Sequence, residues 1–217
     1  MGVSAKDIFK DNKKMFIPLG ILLVLVVIVT LSSSAGFDIF ETLNISQHMS
    51  FTEAENVLQD NVNYGAIIRT NQGDIQIDLY ENEVPVSVNN FVFLSSQGFY
   101  NGLTFHKVIS GFIIQAGDPN ADSTGDPGYT YADIITEREM EPYSVAMANA
   151  GDKNSNGSQF FIVCGDGNTS SIDGKYTIIG EVTGGFVVVD AIEKATVDEN
   201  YKPINDITIQ SVQILED

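Results

Sequence analysis

A chain of 217 residues with 43% hydrophobic content is long enough for one ordinary domain plus a targeting segment. Its formal charge is −18, and since residues 1–31 are net basic at +2 the remainder carries −20; such an acidic body repels nucleic-acid phosphates, which argues against a nucleic-acid partner. The lone Cys164 excludes an intramolecular disulfide, and its place in the apolar run Phe160-Phe161-Ile162-Val163-Cys164 predicts a buried structural thiol rather than a nucleophile.

In chain order, residues 1–14 form a basic segment carrying Lys6, Lys10, Lys13 and Lys14. The uncharged run from Met15 to Leu31 follows. As a helix it would reach roughly 25 Å at about 1.5 Å per residue, and the small residues through Gly36 extend it to the ~30 Å of a hydrocarbon core. Residues 15–35 are therefore expected to be a transmembrane anchor or uncleaved signal, a single pass whose lysines keep the N-terminus cytoplasmic and place the rest on the extracytoplasmic side. A cleaved signal peptide is the alternative: Ser33 and Ala35 suit a cut after Ala35, which would release a secreted protein.

Residues 36–62 are expected to be a spacer with a short amphipathic helix, because Ser50 offers an N-cap, Glu53 and Glu55 follow it, and Asn61 and Asn63 can end it. His48, with no metal-binding neighbours in sequence, is expected to be a solvated linker residue.

From Tyr64 the pattern becomes that of a β domain. Ala66–Thr70 and the strictly alternating Asp74–Tyr80, joined through Asn71-Gln72-Gly73, predict a hairpin with one buried face. Val84 to Leu94 predicts a helix with Pro85 in its first turn and Gly98 as its stop. Short β-type runs recur at 103–109, 112–117, 128–131, 144–148, 159–163, 176–182 and 206–214, with a second helix over Phe186 to Lys194. Many short strands and few helices argue for a mainly β protein built as a closed or nearly closed antiparallel barrel.

Familiar catalytic motifs nearly match and fail. Gly167 to Lys175 has six residues between its glycines, too many for a phosphate loop, and Tyr176 where Ser or Thr must meet magnesium. Asp118-Pro119-Asn120-Ala121-Asp122 opens like a calcium loop but has Ser123 at the sharp turn and Tyr129 where a bidentate glutamate belongs. With two histidines and a buried thiol, no nucleophilic triad is suggested, and no metal or other cofactor is expected.

What remains is the run Phe105 to Pro119 (FHKVISGFIIQAGDP), then Met147-Ala148-Asn149-Ala150-Gly151, then Asn156-Gly157-Ser158-Gln159-Phe160-Phe161-Ile162, and finally Ile172 to Val182. These stretches resemble, in order, the signature segments of the cyclophilins, and the resemblance spans about 64–215. It implies an eight-stranded antiparallel β-barrel capped by two helices over 63–217. It also implies peptidyl-prolyl cis-trans isomerase activity (EC 5.2.1.8), exerted as a monomer on proline-containing polypeptide clients. By the same resemblance Phe112, Ile113, Phe161 and Ile172 line a proline pocket, and Gln115 and Asn149 hydrogen-bond the substrate backbone. His106, Ala148 and Gln159 lie along the groove, Tyr176 at its edge, and Lys107 at the position of the family's catalytic arginine. Lys107, Phe112, Gln115 and Asn149 form the expected catalytic set.

Two departures carry consequences. Lysine is a flexible point donor where arginine offers a planar fork, so Lys107 implies reduced turnover with peptide binding retained, which keeps a proline-binding chaperone or scaffold open as the alternative function. Ile113 for the usual methionine is a swap of similar volume. Ser171 occupies the place where many members have the tryptophan that contacts cyclosporin, so loss of that apolar contact should leave inhibition by the drug weak. Calorimetric titration checks this: tight binding of cyclosporin would contradict it.

Overall fold

The computed structural model describes residues 49–152, 154–165 and 168–217, of which 49–217 belong to one compact unit. The expected basic segment, membrane anchor and cleavage site, and His48, lie outside the described residues. Among the described residues no helix is long and apolar enough to cross a membrane.

The domain is a single eight-stranded antiparallel sheet with two helices. Strands β1 (Tyr64–Thr70) and β2 (Gly73–Leu79) form the expected hairpin. The Thr70 hydroxyl closes its turn by donating to the Gly73 carbonyl at 2.7 Å and accepting from the Gln72 N–H at 3.0 Å. Along β2 the alternation holds: Ile75, Ile77 and Leu79 are buried and Asp74, Gln76 and Asp78 exposed. Helix α1 (Pro85–Ser96) starts on Pro85, which needs no N–H partner there, and stops at Gly98, whose φ of 72° ends the right-handed path.

Strands β3 (Lys107–Ile109), β4 (Ile113–Ala116), β5 (Ser144–Met147), β6 (Phe160–Val163) and β7 (Ile178–Gly184) follow. Helix α2 (Phe186–Glu193) and strand β8 (Ile209–Glu216) complete the chain. The strand order is β3-β4-β6-β5-β7-β2-β1-β8. The segment leading into β3 meets the start of β8: Gly102 N–H donates to Ile209 O, Ile209 N–H to Leu103 O and Phe105 N–H to Ile207 O, each at 2.8 Å, with a bridge between Thr104 and Thr208, which draws the two edges of the sheet together.

Inside, Ile68, Ile75, Ile114, Met147, Phe160, Ile162 and Ile179 pack into one apolar cluster, joined by Phe91 and Leu94 of α1 and by Val189 and Ile192 of α2. Phe160 sits at its aromatic centre, edge-on to Phe91 and Tyr100 with ring centroids 5.6 Å away in both cases.

Two sequence expectations fail here. No helix forms in 49–63: the Phe51, Val57 and Leu58 N–H groups donate to Pro127 O and Asn89 Oδ1, so tertiary partners override the local capping pattern. The run 128–131 is not a strand and has a single β-bridge, Tyr131 to Asn156; Gly128 N–H is taken by the Asp126 carboxylate rather than by a ladder.

Replacing Phe160 with Ala should lower the unfolding free energy by about 3–5 kcal/mol, the usual cost of truncating a fully buried phenylalanine. Urea denaturation of residues 49–217 measures it, and a loss under about 1 kcal/mol would mean the centre repacks around the void.

Candidate functional site

Strand alternation generates the site. On β4 and β6, Ile114, Ala116, Phe160 and Ile162 point into the barrel cluster, while their neighbours Ile113, Phe161 and Val163 belong to a second apolar cluster. That outer cluster also holds Met140, Ala146, Ile172 and Ile178, with Ile109, Phe112, Ala148 and Tyr176 partly buried against it. The register aligns Lys107 with Gln115, Gln115 with Phe161, Phe161 with Ala146 and Ala146 with Ile178, so these five form one row across five strands. Directly opposed side chains in such a row lie about 5 Å apart, which makes the row a continuous surface.

A cleft of ≈ 500 Å³ lies over this row. Lys107, Phe112, Ile113, Gln115, Ala148, Asn149, Gln159, Phe161, Ile172 and Tyr176 all line it. The apolar end is shaped by Phe161, only 2% exposed, and by Tyr176, whose ring stands edge-on to it at 5.2 Å. Phe112 is only partly buried and supplies the accessible aromatic wall.

The polar side is a directional amide chain. Gln159 Nε2 donates to the Gly125 carbonyl at 2.8 Å, and Gln115 Nε2 donates to Gln159 Oε1 at 2.8 Å. A carbonyl can only accept, so Gly125 fixes the orientation of Gln159, and Gln159 in turn fixes Gln115. Gln115 Oε1 then has no protein donor among the described residues, which leaves an acceptor available beside the apolar end. The Asn149 side chain is committed to the protein: its Nδ2 donates to the Asp133 carboxylate and to Lys175 O, and its Oδ1 accepts from Gly151 N–H. The Asn149 backbone N–H and C=O, by contrast, make no hydrogen bond within the described residues. The Lys107 ammonium likewise has no hydrogen-bond or ion-pair partner among them.

His106 departs from expectation. It does not line the cleft; it is 4% exposed, and neither ring nitrogen has a hydrogen bond of good geometry. It precedes β3 and takes no part in the cross-strand row that begins at Lys107. Burial pushes its pKa below the ordinary 6.5, opposed more weakly by Asp118 and the Thr104 backbone and reinforced by Lys107 and Lys202.

The opposite wall has no counterpart among the sequence expectations. Ser123, Thr124, Gly125, Asp126 and Thr130 line the cleft from a loop with no regular structure. That loop is organised by Asp118, which is buried and accepts backbone N–H bonds from Asn120, Asp122, Ser123 and Gly125. In the run that opens like a calcium loop, the leading carboxylate is thus occupied by backbone amides. Tyr129 ties the loop to α1 through a 2.5 Å bond to Asn90 Oδ1; burial pushes its phenol up to about 12, so it remains a donor at neutral pH. A carboxylate with four amides in a turn, and a tyrosine facing a helix asparagine, leave no periodic sequence signal.

Comparison with known proteins gives the same class. The profile of the family described as cyclophilin type peptidyl-prolyl cis-trans isomerase/CLD matches residues 66–214. The chain is 44% identical over 154 residues to peptidyl-prolyl cis-trans isomerase cyp15 of Rhizopus delemar, covering 69% of this chain but 24% of that longer protein. It is 42% identical to a probable peptidyl-prolyl cis-trans isomerase A of Mycobacterium leprae, covering 70% of this chain and 92% of the relative. The solved structure of a cyclophilin type peptidyl-prolyl cis-trans isomerase from Cryptosporidium parvum superimposes with a TM-score of 0.67 at 34% identity, covering 71% of this chain and 99% of that one. The same protein has been crystallised in the presence of the dipeptide Ala-Pro. The chain belongs to the cyclophilin family of peptidyl-prolyl cis-trans isomerases.

The buried histidine gives a pH dependence. A histidine held neutral by burial takes up its proton more readily in the unfolded chain. Its contribution to stability is therefore present above about pH 6.5 and is lost progressively as pH falls toward its depressed folded value. Urea midpoints should fall between pH 7 and pH 5.5, and His106→Gln should flatten that slope; an unaltered slope in the variant would refute the assignment.

Proposed function

We propose that the cleft is the groove in which this protein interconverts the cis and trans forms of Xaa-Pro bonds in polypeptides. The observation that carries the proposal is the pairing, on the outer face of the barrel, of an apolar pocket with a free amide acceptor and free backbone groups. That pairing fits the chemistry. The prolyl amide rotates over a barrier of ~18–20 kcal/mol because rotation breaks its resonance, and no bond has to be cleaved. A catalyst therefore needs neither nucleophile nor metal; it must hold the twisted amide better than either planar form.

Phe112, Ile113, Phe161 and Ile172 grip the pyrrolidine ring. Gln115 and the Asn149 backbone hold the peptide on either side of it, with Ala148, Gln159 and Tyr176 framing the bound chain. As the amide twists, the prolyl nitrogen recovers its lone pair, and the Lys107 ammonium donates toward it. Each ~1.4 kcal/mol by which the twisted state is favoured multiplies the rate tenfold. An ammonium on a four-carbon stem is less well oriented than a guanidinium, so turnover is lower than arginine would give. His106 acts behind the wall and not on substrate. A relative crystallised in the presence of Ala-Pro makes that dipeptide the simplest ligand to try.

The location belongs to the same proposal. Residues 15–35 tether the protein to a membrane with its N-terminus cytoplasmic, and the isomerase domain acts on proline-limited folding of proteins that have crossed it. Protease protection of the full chain in intact cells tests this, since a domain digested only after lysis would place it on the cytoplasmic side.

Lys107 also favours a second reading, a proline-segment binding module with little turnover. Residues 49–217 separate the two in a protease-coupled tetrapeptide assay; the fragment starts at 49 because Phe51 packs against α1. Catalysis should be measurable, Phe112→Ala should reduce kcat/KM ten- to a hundredfold, as expected for losing roughly 1.5–3 kcal/mol of aromatic contact, and Lys107→Arg should raise it. Binding of the tetrapeptide without acceleration would select the second reading, and absence of both would refute the groove.

A further inference from the structure

We propose that residues 49–63 are a strap that positions the polar wall of the groove, with Phe51 as the positioning residue. The inference rests on the cleft being the peptide groove, and it concerns a segment that precedes residues 66–214 matched by the family profile.

The wall in question has no strand or helix to shape it. Thr124, Gly125, Asp126 and Thr130 reach the cleft from a loop held only by discrete ties. Asp118 gathers its first half, Gln159 holds the Gly125 carbonyl, and Asn90 of α1 takes the Tyr129 hydroxyl. Between the last two ties the loop is held by the strap: Phe51 N–H donates to Pro127 O at 2.7 Å. Gly128 follows with a φ of +100°, and a Cβ there would overlap the Phe51 carbonyl and the Ser50 hydroxyl, so strap and loop backbones are in direct van der Waals contact.

The strap is itself anchored to the helix. The Phe51 ring stands edge-on to Phe93 at 5.1 Å and tilted against Phe99 at 6.4 Å. Asn89 accepts from Val57 N–H at 2.8 Å and Leu58 N–H at 3.3 Å, and donates to Glu55 O at 2.9 Å. Its neighbour Asn90 donates to Gly157 O, which belongs to another cleft-lining residue. Two consecutive asparagines of α1 thus hold the strap and the groove wall from the same turn. Residues that lie outside the cleft thereby restrict the loop that borders it, and a preordered wall binds peptide more tightly than one that must be ordered on binding.

The test uses the full chain in mild detergent, with calorimetric affinity for a proline-containing tetrapeptide and amide hydrogen exchange as readouts. Phe51→Ala should weaken the peptide three- to tenfold and speed exchange at residues 124–131, leaving β1, β2 and β8 protected as in the parent. Phe51→Leu should restore most of both. Unchanged loop exchange in Phe51→Ala would overturn the proposal, and so would faster exchange spread evenly over the barrel, which marks a merely structural residue. Should Phe51→Ala not fold, Asn89→Ala releases the strap from its other end and is judged by the same outcomes. A parent chain that binds no tetrapeptide ends the groove reading, while loop exchange still decides whether the strap orders the wall.

Discussion

The strands of a barrel wall have two faces, and in β4 and β6 both are apolar. Ile114, Ala116, Phe160 and Ile162 satisfy the interior, while Ile113, Phe161 and Val163 need cover on the outside. Exposed apolar surface on a soluble face is unfavourable at roughly 25 cal/mol per Å², so the chain must either bury it or use it. Here Met140, Ile172, Ile178 and Tyr176 bury most of it and leave a notch between Phe112 and Phe161. The notch is therefore what remains of a wall only partly covered: strand register sets its floor, and the loop residues Phe112, Met140, Ile172 and Tyr176 set its sides.

Its polar side obeys a different rule. Amide side chains have interchangeable ends until a one-way partner fixes them. The Gly125 carbonyl is such a partner, and it sets the direction of Gln159 and Gln115 across the cleft. An acceptor placed this way is held without a charge, which suits a reaction whose only electronic change is the localisation of a nitrogen lone pair. The loop that carries Gly125 is in turn held by Asp118, and so is the precision of the whole chain.

Much of this was legible in the residues. Strict alternation in Asp74–Tyr80 gave β2, Pro85 and Gly98 bounded α1, and the signature segments located ten of the cleft residues. His106, one residue before β3, is buried beside Asp118 and does not reach the cleft that its neighbour Lys107 lines, because a linear motif carries no information on where each neighbour packs. The 49–63 segment was misread because Ser50, Glu53 and Glu55 compose a sound local helix start, yet Phe51 gains more from the rings of Phe93 and Phe99. The loop wall carries no periodicity: its ties are the local amide bonds of Asp118 and the long-range bonds Gln159 to Gly125 and Tyr129 to Asn90.

The claim on which everything depends is that the notch between Phe112, Phe161 and Ile172 is a seat for proline. A crystal structure of residues 49–217 soaked with Ala-Pro tests it most directly. The pyrrolidine ring should rest against those three side chains, with the dipeptide backbone within hydrogen-bonding distance of Gln115 or of the Asn149 main chain. Dipeptide bound elsewhere, or a cleft that stays empty at saturating concentration, would contradict it.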